Sequence, residues 1–180
     1  YLIPLWVAVF IIVFDLYWFL KKIYLYAHLR ISFRRMRVNM KINWLARLGE
    51  EKKPWERMYH LVILPMCQEP YELVRETFES FVSANYPQDK MIVALACEAR
   101  APRGCQTAQR IQEEFGARFF RFLITEHPAG LPDEIPGKGS NETWAGRAVK
   151  KQIIDSLNIP YENILVSVFD VQLRLSDHCI

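Results

Sequence analysis

No Gly-x-Gly-x-x-Gly follows the first apolar strand of this sequence, and no Gly-x4-Gly-Lys-[Ser/Thr] occurs anywhere in it. Dinucleotide-binding and P-loop readings thereby lose the glycine loops that bring backbone amides against phosphate. Gly-x-Ser-x-Gly is missing as well, which removes the nucleophile elbow of Ser/His/Asp hydrolysis. The four cysteines, Cys67, Cys97, Cys105 and Cys179, keep neither zinc-ligand nor Cys-x-x-Cys spacing and read as ordinary buried thiols of an intracellular domain. A net charge of +3 over 180 residues does not by itself suggest nucleic acid. Tyr1 is not an initiator Met and Ile180 falls just after a strand, so an excerpt of a longer protein is expected. What is present is apolar: 51% hydrophobic against 24% charged residues, enough for a sizeable core and too little polarity for disorder.

Tyr1 to Leu20, YLIPLWVAVFIIVFDLYWFL, carries one charge, Asp15. About 20 apolar residues are what a bilayer core requires. Lys21 and Lys22 close the run as a membrane stop does, and Tyr17 and Trp18 suit an interfacial belt. A transmembrane helix over 1–20 is therefore expected. No basic n-region or small-residue cleavage site marks a signal peptide. Residues 21–57 form a basic juxtamembrane segment and linker. Arg30, Arg34, Arg35, Arg37 and Lys41 place this side in the cytoplasm, against anionic membrane lipids. Met36, Val38, Met40, Ile42 and Trp44 alternate as in a strand, whereas the flanks look helical.

Residues 58–180 read as an α/β domain with a mostly parallel, Rossmann-like sheet. Leu61–Leu64 reads as a central strand ended by Pro65, and Pro70 opens a helix to about Asn85 with Leu73, Val74, Thr77, Phe78 and Phe81 on one face. A second strand, Met91–Cys97, ends at Glu98. A helix over Gln106–Phe115 and a third strand over Arg118–Thr125 follow. The Gly- and Pro-rich loop from His127 precedes a helix over Glu142–Leu157, capped by Ser140 or Asn141, with Trp144, Ala148 and Ile153 toward the sheet. The run Ile164, Leu165, Val166, Val168 and Phe169 reads as a buried strand ending at Asp170. Strands alternating with helices predict parallel crossovers.

Ligands of open α/β sheets bind beyond the carboxyl ends of strands. Glu69, Glu98, Lys138 and Asp170 all fall there. Three acids and a lysine suit a ligand with hydroxyls and phosphates: carboxylates accept from ribose or base, Lys138 offsets phosphate charge, and Asp170 can hold a divalent cation. Gly137 and Gly139 let backbone approach a diphosphate. Asp170 as a mere cap of the following turn stays open.

LVILPMCQEP, MIVALACEAR, PGKGSNETWAGR and VFDVQLR, in this order behind a membrane-attached basic segment, resemble family 2 glycosyltransferases of the GT-A fold. The resemblance covers roughly residues 59–180, the donor-nucleotide half of that domain. It implies a membrane-bound glycosyltransferase that inverts the sugar transferred from a nucleotide-diphospho-sugar to an acceptor hydroxyl, lipid-linked or polysaccharide, with Mg²⁺ or Mn²⁺. It also implies that Pro65 to Glu69 cup the base, that Glu98 contacts base or ribose, and that Lys138 and Asn141 match the family's basic residue and helix Asn. Asp170 matches the first acid of the metal-binding DxD motif. Gln172 stands where the second acid belongs, which lowers the expected metal affinity. The family's catalytic base lies downstream of Ile180. Two other readings stay open, a non-catalytic nucleotide-sugar-binding or scaffolding protein and a nucleotidyltransferase on a similar sheet.

Overall fold

A computed structural model describes residues 2–51, 54–132, 134–135 and 137–171. The chain divides into two compact units, Tyr1–Ile42 and Asn43–Ile180.

The first unit is one helix, α1, Leu2–Asn39. Pro4 falls in its first turn, where a missing N–H costs nothing. Its apolar side chains are exposed on all sides, and the helix is long and apolar enough to cross a membrane. At 1.5 Å per residue it extends about 57 Å, and residues 21–39 of the basic segment belong to the same helix. The strand suggested by alternation from Met36 to Trp44 does not form. α1 runs to Asn39, and α2, Trp44–Glu50, starts after Asn43, whose Oδ1 accepts from the Ala46 N–H at 3.0 Å. A helix satisfies its own backbone, whereas a strand needs a neighbour to pair with.

The second unit is α/β, with a four-stranded, all-parallel sheet in the order β3-β2-β1-β4. The strands are β1 (Tyr59–Pro65), β2 (Met91–Glu98), β3 (Arg121–His127) and β4 (Ile164–Val168). Between them lie α3 (Tyr71–Ser83), α4 (Pro102–Phe115) and α5 (Lys138–Val149), the last followed by a π-helical turn at Lys150–Ile154. β1 and β2 are buried on both faces, as central parallel strands must be. Val62, Leu64, Val93 and Leu95 face α3 and α4, with Val74, Phe78, Phe81 and Ile111. Leu61, Ile63, Ile92 and Ala94 face α5, with Ala145, Val149 and Ile153.

Two expectations change here. α5 starts at Lys138, earlier than Glu142, with Gly137 at its N-cap. The buried face is consequently Asn141, Ala145 and Val149, and Trp144 and Ala148 are only half-buried. β4 is not buried: it pairs with β1 alone among the described residues, and Leu165 and Val166 are 55% and 53% exposed. Apolar composition cannot distinguish a central strand from an outer one, because position in the sheet depends on pairing.

His60 of β1 is buried, and its Nε2 lies 2.8 Å from the Ser167 hydroxyl of β4, with the Tyr86 ring edge-on. Burial holds its pKa below the usual 6.5. Below pH 6.5 the unfolded chain therefore binds a proton that the folded one refuses, so stability falls as pH drops from 6.5 through the folded pKa. In urea titrations at pH 7.5 and 5.5, His60→Gln should lose less stability on acidification than the unmodified protein. An equal loss would show that His60 does not contribute to it.

Candidate functional site

The carboxyl ends of the four strands converge on one edge, and the carbonyl of Ala96 ties it together. It accepts the Met66 N–H at 2.9 Å from the turn after β1, and Asn141 Nδ2 at 2.7 Å from the first turn of α5. Ala96 is the register partner of Pro65 on one side and of Thr125 on the other. Asn141, 1% exposed, thus fastens the start of α5 to the sheet.

Pro65 ends β1, and the loop after it is stiffened by Glu69, whose Oε2 accepts from the Cys67 N–H at 2.5 Å. The Cys67 thiol is pushed up by burial and then by the negative charges of Glu98 and Glu69, so the loop and the end of β2 share one electrostatic environment. Gly104 in the first turn of α4 packs against this loop so closely that a Cβ there would overlap the Cys67 carbonyl.

Lys138 and Asp170, 32 positions apart, meet: Nζ donates to Oδ1 at 2.6 Å. Asp170 lies two residues past β4. The chain there is held by the Phe169 N–H, which donates to the Ile63 carbonyl at 3.1 Å, and by the Thr77 hydroxyl, which donates to the carbonyl of buried Val171. The Asp170 carboxylate raises the Lys138 pKa above its usual value. Both side chains are more than half exposed, so the pair is worth about 0–1 kcal/mol and separates readily. Lys138 also lies 3.9 Å from Glu142.

Glu98 is not free. Its carboxylate accepts from Arg100, two residues on, and raises the Arg100 pKa. The two line a cleft with His127, Gly130, Glu134 and Gly137. Gly130 has φ +76°, a turn conformation that favours glycine. His127 is the register partner of Glu98; its Nε2 lies 3.2 Å from Glu134 Oε1 and its ring is perpendicular to Trp144 at 5.5 Å. Arg100, His127 and Glu134 are not among the residues expected from the sequence, and Trp144 is expected there only as a residue facing the sheet. His127 carried the same signal as Glu98, a polar residue ending an apolar strand.

Of the expected residues, Pro65, Glu69, Glu98, Lys138, Asn141 and Asp170 all lie along this edge. They form two sub-sites: Lys138 with Asp170, and the Glu98 cleft. Glu69 and Asn141 hold backbone rather than lining the cleft. Gln172 lies outside the described residues. Among the described residues no three acid, His or Cys side chains converge to hold a metal ion. Asp170 by itself offers one carboxylate, a donor set that fits only the mode in which a cation takes one protein acid and gains its other ligands from substrate phosphates and water.

Comparison with protein-family models, with curated proteins and with solved structures returned no match to this chain.

Proposed function

We propose that this chain is the donor-binding part of a membrane-anchored glycosyltransferase of GT-A type, acting on a nucleotide-diphospho-sugar. The observation that carries the reading is the meeting of Lys138 and Asp170 beside the Glu98 cleft, at the carboxyl edge of a parallel sheet. A diphosphate would take Lys138 from Asp170, exchanging one exposed ion pair for a charge-assisted contact to phosphate. The amides at the start of α5 add positive potential on the same side. Glu98 accepts hydrogen bonds from ribose or base, with Arg100 limiting its charge. Released from Lys138, Asp170 would hold Mg²⁺ or Mn²⁺ together with the donor phosphates. Such an ion supplies charge stabilisation for the departing diphosphate. The acceptor is a lipid-linked or polysaccharide hydroxyl, and no nucleic acid is involved.

The test is calorimetric titration of the purified protein in detergent with nucleotide-diphospho-sugars. Lys138→Ala should weaken binding by roughly 1–3 kcal/mol while far-UV circular dichroism stays unchanged. Absence of saturable binding to the unmodified protein at millimolar donor would overturn the reading.

The first half of α1 would be the anchor, with the α/β unit in the cytoplasm, since the cations beyond Leu20 oppose translocation. A cytoplasm-dependent reporter fused after Arg57 should be active, and an impermeant thiol reagent should fail to label Cys67 in intact cells. Labelling from outside would reverse the topology.

A further inference from the structure

We propose that His127, its ring set by Glu134, reads the nucleoside end of the donor and determines which nucleotide the cleft accepts; this rests on the nucleotide-sugar reading above. Glu98 and His127 end adjacent parallel strands as register partners, and both are at least nine-tenths buried while lining the same cleft. Two carboxylates, Glu98 and Glu134, line it too. They repel phosphate, so the cleft suits the uncharged end of a nucleotide, leaving the diphosphate to Lys138.

The carboxylate of Glu134 accepts from Nε2–H of His127 and so orients the ring. Trp144, perpendicular to the ring, restricts its rotation. The cleft therefore offers the acceptor oxygens of Glu98, the donors of Arg100 and the polar ring of His127. That pattern matches a heterocycle edge or ribose hydroxyls, and it discriminates because a wrong edge leaves buried polar groups unpaired.

The experiment is calorimetry with UDP, CDP, GDP and ADP, and with inorganic pyrophosphate as the probe that has charge but no nucleoside. His127→Phe, which keeps a ring against Trp144, and Glu134→Gln, on the partly exposed loop, should each weaken the preferred nucleotide roughly tenfold. Both should narrow its margin over the others and leave pyrophosphate unchanged. Nucleotide binding that is weakened in Lys138→Ala but keeps its affinity and order of preference in both His127→Phe and Glu134→Gln would overturn this inference alone, leaving His127 as packing against Trp144. Absence of binding by every nucleotide to the unmodified protein would overturn the donor-site reading and this inference with it.

Discussion

Phe78→Ala should destabilise the α/β unit by about 3–5 kcal/mol, the range for removing a buried aromatic ring from a core. Phe78 is fully buried at the centre of α3, with the rings of Phe81, Phe115, Phe119 and Phe122 at 5.9, 5.7, 6.0 and 5.7 Å. These partners come from α3, from the end of α4, from the turn after it and from β3, so no single element can move in to fill the space. A domain has about 5–15 kcal/mol in total, so the variant should unfold at markedly lower urea and lose near-ultraviolet dichroism first. Phe119→Ala, at the rim of the cluster and 6% exposed, should cost less. A loss below about 1 kcal/mol for Phe78→Ala would mean that the cluster is not the core.

Gly104→Ala sets two effects against each other. In a helix, alanine is favoured over glycine by about 1 kcal/mol. Against this, the added Cβ would overlap the Cys67 carbonyl oxygen and carbon, which are backbone and cannot rotate away. Overpacking costs about 1–3 kcal/mol and sometimes more, and here it acts on a loop also tied by the Met66 N–H and by Glu69. The clash wins, so Gly104→Ala should lower stability by about 2 kcal/mol and Gly104→Val by more. Because the loop leads from Pro65 to Glu69 at the site edge, donor affinity should fall even in the folded fraction. A variant as stable as the unmodified protein, measured by urea unfolding, would show that the loop yields and that the close approach is not required.

Much of the site was legible because strand ends announce themselves. Glu98 and Asp170 each follow an apolar run, and Lys138 sits between glycines, so the carboxyl edge was readable residue by residue. Their partnerships were not. That Glu98 is held by Arg100 was within reach, since the two are neighbours in sequence. That Lys138 would meet Asp170, or His127 face Trp144, depends on where β4 and α5 lie against the sheet. Glu69 illustrates the difference: its place after β1 was readable, whereas the bond from the Cys67 amide to its carboxylate was not.

The sequence by itself determined the apolar N-terminal helix, the alternation of strands and helices and the direction of the sheet, because these rest on local periodicity and on short parallel crossovers. Tertiary structure decided the rest. β4, whose apolar run reads as buried, lies at the edge of the sheet among the described residues, because pairing order is a property of the whole sheet. α5 starts a turn early, with Gly137 at its N-cap and Asn141 fastened to the Ala96 carbonyl of β2. The continuation of α1 through the basic segment to Asn39 needs no tertiary partner, because a helix satisfies its own backbone hydrogen bonds. Strict alternation argues for a strand only where another strand is present to accept its hydrogen bonds, and Met36 to Trp44 has none among the described residues.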